Sequence, residues 1–341
     1  MFMEHFGFPL ETISIFVGVI VVSLYMDLHA HPQDKEITFR DAVLWSGFWV
    51  CVALGFYVYL YLKFDKSWAN LYLAGYVLEK SLSVDNLMVF IAIFSSFAIH
   101  GAMQHRILYY GIIGALAFRA IFVLAGTSLF AMSSWVEYVF AAIVAWSGWK
   151  MLTAEQAEKE IKDYSHHWSV TMTEKVLPVF PRLHGGRFFL SKKEVEQAKQ
   201  SDATISVTRP AALYATPALL CLMAIETSDV MFAFDSVPAV IAVTREPLLV
   251  YAAMIFAILG LRSLYFVLAA LTKYLVHLSK AVIALLFFIA GKLALTATNH
   301  IFHWPGFDIS PNASLLVVVG VLGLGVLASF IWPEKDDSKT G

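Results

Sequence analysis

Runs of mostly apolar residues, each long enough to cross a bilayer, follow one another along nearly the whole chain, with short polar connections between them. A helix needs about 20 such residues to span the hydrocarbon layer. In lipid the backbone must satisfy its own hydrogen bonds, so runs of this kind fold as α-helices. Charged residues make up only 15% of 341, against 59% hydrophobic, and the mean hydropathy is +0.70. A soluble domain carries about 25% charged residues, so the polar exterior of a water-soluble fold is missing. No basic face for nucleic acid emerges. Cys51 and Cys221 both lie in apolar segments, which excludes a disulfide framework or a thiolate metal cluster and leaves two small buried hydrophobes. The first residues, Met-Phe-Met-Glu-His, lack a basic stretch, so the first apolar run is expected to be a permanent helix and not a cleaved signal.

Nine spans are predicted, at 10–28, 42–62, 70–97, 107–130, 133–152, 211–244, 247–271, 279–299 and 313–332. The third and sixth are too long for one straight crossing, and both contain acids. With the N-terminus outside, the inner segments hold Lys35, Arg40, Arg106, Lys273, Lys335, Lys339 and the many basic residues of 153–210, while the outer ones hold Lys63, Lys66 and Arg245. This asymmetry predicts an external N-terminus and a cytoplasmic C-terminus. Residues 1–152 thus carry five spans, 153–210 form a cytoplasmic loop, 211–332 carry four spans, and 333–341 form a cytoplasmic tail. The loop opens with a charged helical pattern over 155–162, breaks at Pro178, Pro181 and Gly185-Gly186, and resumes at Ser191, where Ser191 and Glu194 fit a capping box. It reads as a solvated helical hairpin, or as a platform for a soluble partner.

The chain also repeats itself. Glu79-Lys-Ser-Leu-Ser-Val-Asp85-Asn86 matches Asp229-Val-Met-Phe-Ala-Phe-Asp235-Ser236; Phe118-Arg119 and the residues after it align with Leu261-Arg262; Gly148-Trp149-Lys150 aligns with Ala290-Gly291-Lys292. Spans three to five (about 70–152) and six to eight (about 211–299) are therefore read as copies. Each has an odd number of crossings, so the second is inserted inverted, an arrangement in which interrupted helices meet at the bilayer midplane. The fold class expected is an all-α polytopic membrane protein of about nine transmembrane helices with two inverted three-helix repeats.

Glu79, Asp85, Glu226, Asp229 and Asp235 fall inside apolar spans, as do Lys80, Arg119, Arg262, Lys150 and Lys292. Each unpaired acid at mid-membrane costs about 2.5–3.5 kcal/mol. Three accounts stand: ion pairs that only hold the bundle together, a proton relay, or a cation site with the basic groups compensating the remaining charge. Residues six apart on a helix point about 120° apart and sit about 9 Å apart along it, so Glu79 and Asp85 share no face, nor do Asp229 and Asp235. Glu226 and Asp229, three apart, do. Pro238 removes the bond to the Phe234 carbonyl beside Asp235, and Pro217 acts likewise on Leu213, so the sixth span is expected to break among its acids and the third to break by symmetry. Carboxylates, the Asn86 amide and the hydroxyls of Ser83, Ser228 and Ser236 make an oxygen-rich donor set suited to Mg²⁺, Ca²⁺ or Mn²⁺. Met88, Met223 and Met231 nearby would favour Mn²⁺, or simply pack. No histidine lies mid-span; His29 and His31 with Asp27 and Asp34, His166-His167, and His300 and His303 read as interfacial residues. No phosphate loop and no nucleophile–base spacing is present, so no enzyme activity and no cofactor is expected.

The motifs Glu79–Asn86 and Glu226–Ala239, with Ala212-Leu-Tyr-Ala-Thr-Pro217 and Trp332-Pro-Glu-Lys335, resemble the TerC family of integral membrane proteins from about residue 8 to 335. The resemblance implies a bacterial inner-membrane protein tied to tellurite resistance. It further implies manganese export, as by the family member Alx, with Glu79, Asp85, Asn86, Glu226, Asp229 and Asp235 as metal ligands. It also implies soluble partners such as TerB, recruited through 153–210, a loop longer than the one expected of Alx. Tellurite is an oxyanion, the wrong sign for a midplane lined with carboxylates, so resistance is expected to arise indirectly, through metal balance or assembly of a membrane complex. The rival expectation is a scaffold that transports nothing and organises soluble resistance proteins or assists membrane-protein assembly.

Overall fold

The computed structural model describes residues 8–29, 38–133, 135–157 and 163–331, apart from 166, 185, 203, 204, 206, 208, 245, 272–276 and 303–308. Its helices are α1 (Leu10–His29), α2 (Phe39–Lys63), α3 (Lys66–Ser96), α4 (Ala102–Met132), α5 (Trp135–Ala157), α6 (Trp168–Val176), α7 (Lys192–Ser201), α8 (Pro217–Thr244), α9 (Pro247–Ile258), α10 (Leu261–Leu271), α11 (Leu278–Phe302) and α12 (Pro311–Ile331). Each expected span falls on a helix, the sixth only from Pro217 onward, after a strand at Leu213–Ala215, and the seventh on the pair α9 and α10. Among the described residues five helices, α2, α4, α8, α11 and α12, are long and apolar enough to cross a membrane, and the bent α9–α10 pair makes a sixth. The apolar part of α1, Leu10–Ser23, is shorter; α3 is long but carries Glu79, Lys80 and Asp85 midway.

Helix ends follow local chemistry. Thr38 caps α2 by accepting from the Asp41 N–H (3.2 Å), and Asp65 caps α3 by accepting from the N–H groups of Ser67 (2.7 Å) and Trp68 (3.1 Å). The interior is built around α3, α8, α9 and α11. Helix α9 is apolar and buried along almost its whole length, as a helix enclosed on all sides must be. It lies against α3, which also packs on α8 and α12, while α4 packs on α8 and α5 on α11. Gly75 of α3 lets Thr244 and Ala253 approach so closely that a Cβ there would collide with the Thr244 hydroxyl. Around this core the outward side chains are apolar: Leu44, Leu62, Ile121, Trp146, Leu316 and Leu324 are all exposed. An oily exterior of this extent belongs in lipid, and the chain is a multi-pass membrane protein.

The breaks fall elsewhere than expected. Helices α3 and α8 are both continuous through their acids. Pro238 sits buried inside α8, and removing one ladder bond leaves the remaining bonds and tight neighbours to hold the helix together. Pro217 is the first residue of α8, where a missing N–H is no loss, and the residues before it form a strand. The interrupted helix is the seventh span, bent by 50° between α9 and α10. Gly260 makes that turn at φ +75°, with Trp49 of α2 packed where a Cβ would lie. The Lys80 ammonium of α3 donates to the freed carbonyls of Ala257 (3.0 Å) and Leu259 (3.5 Å).

Between α5 and α8 the chain forms a small subdomain rather than a plain helical hairpin. Strands β1 (Phe189–Ser191) and β2 (Leu213–Ala215) pair antiparallel, Leu190 opposite Tyr214, over a separate core of Phe180, Leu190, Val195, Ile205 and Tyr214. The capping box at α7 is present: the Glu194 carboxylate accepts from the Ser191 N–H at 2.8 Å. Most of the charged stretch 155–162, the tail 333–341, and the side chains of Asp27, His29, His31, Asp34, His166 and His303 lie outside the described residues.

Candidate functional site

Position along α3 and α8 decides which acids meet. Glu79, wholly buried on α3, and Asp229, 4% exposed on α8, converge on Arg119 of α4. The guanidinium contacts Glu79 through Nη1 and donates through Nη2 to Asp229 Oδ1 at 3.1 Å. One cation thus ties together three helices that come from both halves of the chain. A buried pair of this kind is stable only while every member is present, since removing one partner leaves a charge stranded in low dielectric.

Glu226, one turn before Asp229 on α8, joins the group from the side. Its carboxylate lies where a Cβ on Gly114 of α4 would be, and its Oε2 is buried without a hydrogen-bond partner. Gly111 and Gly114 keep α4 close to α8: Gly111 lies beside Ile225 and Leu222, Gly114 beside Glu226. Against this seam a crevice of about 10 Å³, lined by Gly111, Ala115, Ile225 and Asp229 among others, has room for about one water molecule. Ser83 and Ser236 are also buried with hydroxyls that find no hydrogen-bond partner, and so is the Asn86 amide nitrogen.

The other two acids point elsewhere, as six-residue spacing on unbroken helices requires. Asp85 accepts from Ser279 Oγ of α11 at 2.9 Å. Asp235 faces Ser147 and Lys150 of α5. Of the predicted compensating groups, Arg119 bridges two acids and Lys150 faces one. Lys292, 5% exposed, donates to Ser314 of α12 at 2.8 Å, and Arg262 is buried two residues past the Gly260 turn. Among the described residues no three His, Cys, Asp or Glu side chains stand close enough together to hold a metal ion. Of the six predicted ligands, Glu79 and Asp229 meet at Arg119 with Glu226 beside Asp229, Asp85 and Asp235 lie apart, and Asn86 follows Asp85 on α3 with its amide nitrogen buried. Gly114, Ser279 and Ser147, which adjoin Glu226, Asp85 and Asp235, are residues that sequence reasoning did not single out. The Gly111-Ile-Ile-Gly114 spacing was a signal for close helix approach; nothing local marks the serines.

The family described as "Integral membrane protein TerC family" matches residues 64–337. The chain is 53% identical over 343 residues to the tellurium resistance protein TerC of Serratia marcescens and 52% identical to that of an Alcaligenes species, each alignment covering 99% of both chains. It is 35% identical over 335 residues to Alx of Photorhabdus laumondii, named as a membrane-bound redox modulator, covering 95% of this chain and 97% of Alx. No solved structure matches. The buried acids, the arginine that joins them and the helices that carry them all lie within the matched region, and the chain is a member of the TerC family of integral membrane proteins.

Proposed function

We propose that this protein exports a divalent cation, Mn²⁺ by preference, across the bacterial inner membrane, and that its contribution to tellurite resistance runs through that metal balance. The observation that carries this reading is the excess of buried carboxylate around Arg119. Glu79 and Asp229 share one guanidinium, and Glu226 beside them has an oxygen buried without a partner. A group held this way at a membrane's interior is stabilised by a mobile positive charge. In this mechanism Arg119 holds Glu79 and Asp229 until the cation binds and then gives way, and Glu79, Asp229 and Glu226, not gathered closely enough to hold an ion as they stand, close around it, with Asp85, Asn86 and Asp235 farther along the path. Oxygen donors of this kind suit Mn²⁺ or Mg²⁺.

The two three-helix copies are part of the proposal. If α3–α5 and α8–α11 are related by a two-fold axis, α4 on α8 and α3 on α9 are the same contact made twice, and both contacts occur. That arrangement supports the inverted repeats, while the external N-terminus rests on the Lys/Arg asymmetry of the connecting segments. A soluble partner such as TerB would dock on the subdomain between α5 and α8, which has its own core and an open cleft lined by Arg182, Arg187, Glu194 and Asp202.

The test is Mn²⁺ flux in proteoliposomes. Glu226→Gln is expected to lower flux about tenfold or more while leaving membrane insertion and thermal midpoint unchanged. Normal flux in both Glu226→Gln and Asp229→Asn would end the cation reading and leave the scaffold.

A further inference from the structure

Helix α6 lies outside the membrane-spanning segments, yet it presents apolar residues on two opposite faces. Val170, 1% exposed, belongs to the same core cluster as Ala218, Leu220 and Cys221 in the first turns of α8, and α6 packs on α8. On the opposite face Trp168, Met172 and Val176, spaced by four, are 58%, 57% and 76% exposed. A short helix in water has no reason to display such a stripe once its inner face is already packed. Two cations border it. Lys175 is exposed in the last turn, and Arg209 donates to the Lys175 carbonyl at 2.5 Å, so a guanidinium caps the end of the helix. Glu174, the one acid on the helix, sits around toward the Val170 side.

Continuity decides what covers the stripe. Helix α6 flanks α8, whose own outward residues Met223, Met231 and Phe234 are exposed apolar side chains of the lipid-facing surface. Leu213 on β2, just before α8, and Phe189 on the paired strand β1 are exposed apolar side chains as well. Tryptophan and lysine beside an apolar stripe are the residues that settle at the boundary between headgroups and acyl chains.

We propose that α6 is an interfacial helix lying in the bilayer surface beside the start of α8. Trp168, Met172 and Val176 enter the acyl-chain boundary, and Lys175 and Arg209 engage the phosphates of anionic phospholipid. This placement does not depend on what the protein transports. It anchors the subdomain to the membrane, so the subdomain is held against lipid on one side and the helix bundle on the other.

The experiment uses the full chain with Cys51→Ala and Cys221→Ala, spin-labelled at Met172→Cys or, on the opposite side, at Glu174→Cys. Each is reconstituted in bilayers of phosphatidylethanolamine with phosphatidylglycerol, or of phosphatidylcholine alone. The label at 172 is expected to collide with oxygen and to be shielded from a water-soluble nickel reagent, and the label at 174 to behave oppositely. Lys175→Gln with Arg209→Gln is expected to remove the extra shielding that phosphatidylglycerol gives. A label at 172 open to nickel in every bilayer overturns the proposal. So does shielding that appears only when a soluble protein is added, which would make the stripe a protein-docking face. Shielding indifferent to phosphatidylglycerol overturns the headgroup contact.

Discussion

Arg119 divides its two terminal nitrogens between Glu79 and Asp229, and the consequences can be tested one side chain at a time. Arg119→Ala strands two buried acids and is expected to cost about 3–5 kcal/mol, read as a lower thermal midpoint in detergent together with loss of Mn²⁺ flux. Arg119→Lys keeps the charge but replaces a planar fork with a point charge, so it should recover part of the stability and little of the flux. Gly114→Ala places a methyl where the Glu226 carboxylate lies. Overpacking there is expected to cost about 1–3 kcal/mol and to lower flux in the same preparation; an unchanged flux would mean that Glu226 has no part in the path. The acids themselves were legible in the sequence because charge in an apolar run is conspicuous. Their grouping was only partly so. Glu226 with Asp229, three apart, could be placed on one face, but nothing local says that Asp85 turns toward Ser279 or Asp235 toward Ser147 and Lys150.

At the scale of helices, the sequence marked the right elements and the wrong interruption. Proline drew attention to α8, but its cost there is a single lost hydrogen bond, and the burial of Pro238 among close neighbours keeps the helix whole. The break in the seventh span depends on contacts remote in sequence: Trp49 filling the space beside Gly260, and Lys80 holding the carbonyls of Ala257 and Leu259. Gly260→Ala forces a Cβ into both the left-handed backbone and Trp49, with about 1–2 kcal/mol from the backbone alone. Lys80→Met leaves the two carbonyls without their donor, about 1–3 kcal/mol. Both variants are expected to lower the thermal midpoint, and hydrogen exchange should rise over 255–264 but not over α3 or α8. Exchange that rises equally everywhere would mean that the bend is not a local feature.

For the whole molecule, the proposed division of labour places transport in the helical bundle and recruitment in the subdomain between α5 and α8. Arg182 pairs with Asp202 at 2.6 Å and Arg187 contacts Glu194 at the cleft. Reversing both arginines to glutamate is expected to leave Mn²⁺ flux within about twofold, because exposed pairs contribute little to stability, while tellurite resistance in cells falls. Equal loss of flux and resistance would mean that the subdomain belongs to the transport machinery. Helix α7 and its Ser191–Glu194 cap could be read locally; the short α6 was not singled out, and the strands could not be, because three-residue pairs joined across more than twenty residues leave little periodicity.

The shared arginine also sets the order in which the protein can be completed. Arg119 and Asp229 are 110 residues apart, so during synthesis α3 and α4 enter the bilayer well before α8 exists. Until then the second arm of the guanidinium has no carboxylate to meet, and the nascent first half holds an unfinished polar contact in lipid. The later half supplies the missing acid. Neither half is a finished membrane protein without the other, and a ribosome halted between them leaves a fragment that membrane quality control has a physical reason to remove.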